Sequence, residues 1–569
     1  MNLKIIVAGA AATLALLTPT LHAQTLDVPA IPVPIPGASQ TTDGLLMLDL
    51  ETAYEMAISR NLNLQVGRYD IVAADAASHG ATGVFDPYLT AGVDGDWTRS
   101  PATTALEGSL IPETRNTTFG LGLRGLLPTG TQWEANLGSR RFETNNTFFF
   151  VNPSWNSDLS LGITQPLLRG FGTLVNRSGI VVAQNNREQT AEAFEVLVVD
   201  TLRQVESSYW DLVAARRAVL VSEQSLALAD QLLGETQERV NVGTSAPIDL
   251  VQSEAGVATR RQALITAGNI ASNAEDVLKA VLGFDEPREW TRTIDTIEAY
   301  EFNPFLPDLE DAIDTAIENR PEMRQARLQL ELLEHYTKVA KNDVLPNLDL
   351  VAGYGWRGVS GTTTLRDSDT NEIIFQQRTS FPDSWQQVVD TDFPNWRLGL
   401  QFGIPLGNNQ AQGRLAEQQF YYQRGQVQLT ALKQNIISQV RFAVRALEDG
   451  AASVEAAVAS QELAARNLEA EQTKFDNGLS TNFQVLQIQE DLAEAELALI
   501  RAYLNYRKAN IEYRVATGTL LDFLDVDIVD PGQPDLPNDY WKDVKWLQFE
   551  DLSTSANQVT IPAAPVTAP

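Results

Sequence analysis

Apolar residues recur at helical spacing, with hardly a breaker, over residues 50 to 83, 178 to 241 and 248 to 282. The same succession returns at 309 to 344, at 413 to 476 and on to about 517. In the last helix of each set the apolar positions keep a seven-residue beat: Leu250, Val257, Leu264, Ala271 and Leu278, then Val485, Leu492, Leu499, Tyr506 and Tyr513. A sustained heptad keeps one seam against a partner helix, which favours coiled-coil packing over an ordinary bundle core. At 1.5 Å per residue the 178 to 241 stretch is about 95 Å long, 248 to 282 about 50 Å and 61 to 83 about 35 Å. Two short helices laid end to end nearly equal the long one, so the pattern predicts a tall, two-layered α-barrel.

Between the helices the period switches to two. Leu159, Leu161 and Ile163 alternate with Ser160, Gly162 and Thr164; Phe119, Leu121 and Leu123 alternate with Gly120, Gly122 and Arg124; and Leu398, Leu400, Phe402 and Ile404 alternate with Gly399, Gln401 and Gly403. One greasy face and one small or polar face suit either a half-buried sheet or a membrane β-barrel, and Trp97, Trp133, Trp155, Trp356 and Trp396 stand near the strand ends. The predicted strands are about 87 to 99, 116 to 127, 131 to 143 and 155 to 166, then 347 to 358 and 396 to 405. Six strands are fewer than the eight of the smallest outer-membrane barrel, and an open edge in lipid leaves backbone groups unpaired. One chain does not close its own barrel.

The chain states its pattern twice. Asp49-Leu50-Glu51, Ala53 and Ala57-Ile58 recur as Asp308-Leu309-Glu310, Ala312 and Ala316-Ile317, an offset of 259. Further on, Gln204-Val205, Val219, Leu233, Gln237, Gly243 and Gly283 recur as Gln439-Val440, Val454, Leu468, Gln472, Gly478 and Gly518, an offset of 235. A repeat of this size is a duplicated half rather than a solenoid unit. Its breaks frame a first repeat at 45–283, an inter-repeat segment at 284–307 and a second repeat at 308–518. An extra first-half hairpin, about 116–143 and turning at Leu127-Pro-Thr-Gly130, accounts for most of the change in offset; the pattern leaves open whether it joins the wall of a barrel or sits outside it.

Composition narrows the setting. Residues 1–23 carry an early Lys, an apolar run and Ala23 at a cleavable position, as a secretory signal does, and 24–44 read as an extended Pro-rich linker. An acidic tail, 519–569, follows the second repeat. With no Cys there is no disulfide framework, thiolate nucleophile or Cys-ligated metal. A formal charge of -31 disfavours nucleic acid or anionic lipid as a partner and suits cations or a basic protein surface, although solvated helix faces account for many of the carboxylates. His79 and His335 stand on predicted helices without ligand spacing, and no GxSxG, HExxH or Walker-type loop occurs, so neither an enzyme nor a cofactor or metal protein is expected.

Two motifs carry a resemblance. One is the strand-to-helix corner Gln165-Pro166-Leu167-Leu168-Arg169-Gly170-Phe171-Gly172, echoed by Ile404-Pro405-Leu406-Gly407. The other is the paired turn, Arg239 to Leu250 around Gly243 and Lys474 to Val485 around Gly478. At matching places in a duplicated helix, strand, helix chain, they resemble the TolC-type outer-membrane efflux family over nearly the whole mature sequence. The resemblance implies an α+β membrane protein: a homotrimer whose strands form one β-barrel in outer-membrane lipid, continued by a periplasmic α-helical coiled-coil barrel. It implies docking of a periplasmic adaptor protein at Val242, Gly243 and Thr244 and at Asn477, Gly478 and Leu479, and coupling to an inner-membrane transporter of the RND, ABC or MFS type. It places the periplasmic gate at the same tips, with Asp249 at an acidic position. In the second half Gln484, Gln487 and Ser480 occupy charged gate positions of the family, and Phe475 lies beside them. Glycine also ends helices in its own right, and Asp249 equally suits a helix N-cap.

Two function classes remain. A passive export duct across outer membrane and periplasm uses every feature. A soluble periplasmic coiled-coil scaffold has no use for a lipid-compatible stripe.

Overall fold

The computed structural model describes residues 45–104, 108–297, 302–367 and 372–528. The expected signal segment, the Pro-rich linker and all but the first residues of the acidic tail lie outside them. In the first half, strand β1 (Leu45–Leu48) precedes helices α1 (Leu50–Arg60) and α2 (Leu62–Thr82), strands β2 (Tyr88–Arg99), β3 (Glu113–Leu126), β4 (Gln132–Thr144) and β5 (Val151–Pro166), and helices α3 (Ser178–Asn241) and α4 (Pro247–Leu282). The strand β6 (Thr293–Thr296) leads into the second half: α5 (Leu309–Asn319), α6 (Pro321–Asp343), β7 (Asn347–Arg366), β8 (Ile373–Arg378), α7 (Phe381–Val389), β9 (Pro394–Gly403), α8 (Asn409–Asp476) and α9 (Asn482–Thr517). Helix lengths of 11, 21, 64 and 36 residues are answered by 11, 23, 68 and 36.

The helical stretches at 50 to 83 and 309 to 344 are each two helices. Asn61 stops α1 and caps α2, its Oδ1 accepting from the amides of Asn63 (2.9 Å) and Leu64 (3.2 Å). Pro321 cannot continue the ladder of α5 and instead starts α6. These breaks are where short helices meet end to end. Gly283, just past α4, lies so close to the Arg60–Asn61 backbone that a Cβ would come within 2.5 Å of the Arg60 carbonyl oxygen; Gly518, past α9, abuts Asn319 and Arg320 in the same way. Asn61 ties the first seam by donating to the Val281 carbonyl (2.8 Å).

At this waist lies the largest apolar core. Leu202, Tyr209, Trp210 and Leu212 of α3 pack with Ala53, Ala57, Leu64 and Leu278 and with Leu48 and Ile294 of the parallel pair β1–β6. The inter-repeat segment thus closes over the core instead of only linking the halves. The heptad positions of α4 and α9 are buried or half-buried, and Val257, Leu278, Val485 and Tyr506 are fully so. Among the described residues no helix is long and apolar enough to cross a membrane.

The remaining strands form one sheet in the order β2-β3-β4-β5-β7, with β7 continued by β9 over its first half and by β8 over its second. The extra hairpin, β3–β4, is inside the sheet between β2 and β5. Its turn rests on the strand-to-helix corner: Gly172 donates to the Thr129 carbonyl (3.1 Å), and Thr131 bonds Gln165. Besides the short β1–β6 pair, one strand and one helix, both at this sheet, were not expected from the sequence. β8 and α7 interrupt what would be a single long partner for β7, and α7 lies over β5 and β7 at the end remote from the long helices. Ser384 there meets Ser157 (2.8 Å), and Trp155 stacks on Phe381 (4.7 Å between ring centres). The exposed Val359 amide and carbonyl, left without a strand, are paired by the Gln387 side-chain amide at 2.9 and 3.0 Å.

Candidate functional site

Two places concentrate features that packing alone leaves unexplained: the sheet faces and the far ends of the long helices.

Strand alternation sorts the sheet into two surfaces. Apolar side chains on one face occupy 89–93 on β2, 119–123 on β3, 133–137 on β4, 159–163 on β5, 348–356 on β7 and 396–402 on β9. Many are exposed, among them Val93, Leu121, Leu161, Trp396 and Leu400. One row of paired residues runs Leu89, Leu123, Ala135, Leu161, Tyr354, Trp396. That row opens the apolar run on β2 and closes it on β9, so the window slides by roughly one residue per strand. With a rise of ~3.3 Å and a strand spacing of ~4.8 Å this is a tilt of about 35°, the range of transmembrane barrels. The slide passes through β3 and β4 without a step.

The opposite face carries Asp94, Arg124, Glu134, Asp158, Arg357 and Arg397 among Ser, Thr, Asn and Gly. A hollow of about 660 Å³, lined by Arg124, Glu134, Ser160, Gly353 and Arg397, lies against it, so the polar face is the concave one. Inside-out relative to a soluble sandwich, the sheet presents grease outward on its convex side and water-binding groups inward.

Each strand-to-helix corner is built by glycine and asparagine. Gly170 (φ 78°) and Gly172 (φ 95°) turn the chain after Pro166, and Asn176 donates to both their carbonyls (2.7 and 2.9 Å) while Asn342 accepts from the Gly170 amide (2.7 Å). After the exposed Pro405, Gly407 (φ 92°) and Asn408 (φ 42°) do the same, Asn408 reaching the Val344 carbonyl at 2.9 Å.

The tips of α3–α4 and α8–α9 share one turn geometry. Gly243 (φ 80°) donates to Val240 and Thr244 to Arg239; Gly478 (φ 72°) donates to Phe475 and Leu479 to Lys474. These are paired 5→2 and 6→1 bonds of a Schellman ending. Val242, Gly243, Thr244, Asn477, Gly478 and Leu479 are all exposed, and a Cβ on either glycine would meet nothing within 4 Å. Ile248 and Phe483, missed by the motif comparison, add exposed apolar surface beside the turns. They occupy equivalent positions, 235 residues apart, so the repeat offset was the signal that could have found them.

The gate candidates separate. Asp249 accepts from the Ala246 amide (3.1 Å) and so caps α4, while its carbonyl accepts from Asn482 (2.9 Å). Phe475 is buried between the hairpins with Leu232 and Val485, under the Arg239 guanidinium (4.1 Å). Ser480 donates to the buried Glu471, which Lys474 also holds at 2.9 Å; the hydroxyl first and the ammonium second keep that carboxyl below its ordinary range. Gln484 and Gln487 are exposed one helical turn apart. A buried chain from Asn482 to Ser253 (2.6 Å) and on to Thr236 (3.3 Å) locks the two hairpins together. His79 and His335 stand apart on α2 and α6, His335 bonded to Ser178 (2.9 Å).

Comparison with known proteins fits this geometry. A family model described as outer membrane efflux protein matches residues 138–284 and 312–519. Outer membrane protein TolC of Escherichia coli is 23% identical over 315 residues, 55% of this chain and 60% of TolC, so the match spans less than two thirds of that relative. Among solved structures, the CmeC outer membrane channel of Campylobacter jejuni superposes with a TM-score of 0.58 at 14% identity, covering 88% of this chain and 89% of CmeC. The outer membrane protein VceC of Vibrio cholerae gives 0.59 at 14%, covering 82% and 96%.

Proposed function

Because this chain belongs to the outer membrane efflux protein family, we propose that it is the outer-membrane channel of a tripartite efflux or type I secretion system. It is a passive duct rather than an enzyme. Three copies contribute their sheets to one barrel in outer-membrane lipid and their helices, in the two halves 45–283 and 308–518, to one periplasmic tunnel. A periplasmic adaptor meets the exposed tips around Gly243 and Gly478, and an inner-membrane transporter of the RND, ABC or MFS type supplies the energy.

The observation that carries this reading is the two-faced sheet, whose apolar window is tilted as a barrel wall requires and whose polar face is concave. Trimerisation draws support from apolar side chains with no cover in one chain, such as Ile265 and Ile270 on α4 and Phe420, Val427 and Phe442 on α8. Asp249 works first as a helix cap and, in three copies, as an acidic ring at the tunnel mouth.

Sucrose-gradient fractionation tests the location: recovery with outer-membrane vesicles is expected, and recovery in soluble periplasm defeats the duct in favour of a scaffold. Gly243→Trp combined with Gly478→Trp tests the docking. Trimers are expected in the outer membrane with export abolished, and unchanged export would remove the tips from the docking surface.

A further inference from the structure

Besides the short β8, which borders only the far half of β7, two strand edges of the sheet have no partner among the described residues. Among the described residues β2 pairs only with β3, and β9 only with β7. Both edges carry exposed apolar residues on the convex face, and in lipid an open edge leaves a row of amides and carbonyls without hydrogen bonds. The chain directions are complementary, since β2 leaves the helical end of the sheet and β9 returns to it. A second copy of this chain therefore offers the matching antiparallel edge.

The register of that seam follows from two independent observations. The first is the slide of the apolar window, roughly one residue per strand toward the helical end on passing from β2 to β9. Continuing the slide by one more strand sets Ala91 of the next copy opposite Leu400. Shifts by one residue turn grease to the inside and are excluded, so the competing registers differ by two residues. The second is charge. With Ala91 opposite Leu400, Asp94 falls opposite Arg397 on the concave face, and among the described residues neither has an ion-pair partner in its own chain.

We propose that β2 of one copy pairs with β9 of the next in this register, with Asp94 facing Arg397 across each seam. The inference rests on the trimeric duct proposed above and specifies its wall. Because the β3–β4 hairpin is part of the sheet, each copy supplies six wall strands, β2, β3, β4, β5, β7 and β9, and three copies close a barrel of eighteen (3 × 6). Barrel diameter grows with strand number. At ~4.8 Å between strands and a tilt of about 35°, eighteen strands make a ring about 33 Å across between backbones.

Cysteine cross-linking reads the register directly, on a chain that has no cysteine of its own. In outer membranes, Thr90→Cys with Gln401→Cys is expected to give, on oxidation, dimers and trimers that survive boiling without reductant. Cross-linking of Thr90→Cys only with Gly399→Cys or with Gly403→Cys would overturn the register, and no cross-link in any pair would overturn the seam. Native mass and membrane fractionation of the uncross-linked protein are read in parallel. A trimer in the outer membrane without the cross-link defeats the seam and leaves the duct standing, whereas a soluble monomer defeats both. Charge exchange supplies the second arm. Asp94→Arg and Arg397→Asp are each expected to cut at least tenfold the trimer that survives warm detergent, and the double exchange is expected to recover most of it; no recovery removes the ion pair. Twelve strands in a projection of the purified trimer, instead of eighteen, would place the hairpin outside the wall and overturn the width.

Discussion

Four glycines end the long coiled-coil segments with the same backbone geometry, yet for different reasons. Gly283 and Gly518 at the waist and Gly243 and Gly478 at the tips all have φ between 70° and 80° and close the same pair of hydrogen bonds. At the waist the missing side chain makes room: the Gly283 Cα faces the Arg60 carbonyl and Gly518 faces Arg320. At the tips the space is empty, and conformation alone asks for glycine. Identical local chemistry thus serves end-to-end packing in one region and a free surface in the other. The waist is where the helices must fit each other; the tips are where they are available to something else.

The sharpest way to break this comparison is Gly283→Ala. Left-handed strain of ~1–2 kcal/mol adds to a backbone overlap that forces the seam apart at ~1–3 kcal/mol, so a loss of roughly 3–4 kcal/mol is expected in thermal unfolding followed by circular dichroism. Gly518→Ala meets its neighbours less closely, at 3.1 Å rather than 2.5 Å, and about 2 kcal/mol is expected in the same assay. Alanine at Gly243 or Gly478 incurs only the conformational term, ~1–2 kcal/mol at each site. A tip variant that destabilised as much as the waist variant would erase the distinction.

Two carboxyl groups extend the contrast into pH. Glu206 at the waist, half-buried and bonded to the Tyr54 hydroxyl at 2.5 Å, is pushed above its ordinary value by burial, which its hydrogen bonds and the nearby Arg507 and Arg514 only partly offset. A raised folded value means that its contribution is present under acid conditions and is lost as pH rises through that value. Glu206→Gln is therefore expected to leave the melting temperature at pH 7 unchanged or slightly higher and to flatten its fall with rising pH. Glu471 at the tip is displaced the other way. Its contribution is present above the ordinary carboxylate range and is lost as pH falls through its lowered value. Glu471→Gln is expected to have the smallest effect of the series, a faster proteolytic nick near Asn477 at neutral pH that the parent shows only on acidification.

How much of this was legible follows from where the determining interactions lie. Heptads, strand alternation and the glycine turns are short-range patterns, and they gave the long helices, the six wall strands and both helical turns at about the right residues. Ile373–Arg378 and Phe381–Val389 escaped because neither alternates clearly, and their structure depends on β7, β5 and the serines beneath them. The place of the β3–β4 hairpin was undecidable because its own sequence is the same whether it joins the sheet or not; its pairing with β2 on one side and β5 on the other settles it. At the tip, the resemblance placed Asp249 and Phe475 near an expected gate but not Phe475 under Arg239, a contact between residues more than 200 positions apart.

The Gln387 amide has a consequence for how such a wall can change. By pairing both polar groups of Val359 from a side chain, it satisfies the sheet without fixing the number of residues between β8 and β9. The outermost stretch of the chain can then lengthen, shorten or be exchanged while every strand below keeps its pairing. One glutamine separates the length of that connection from the pairing of the sheet.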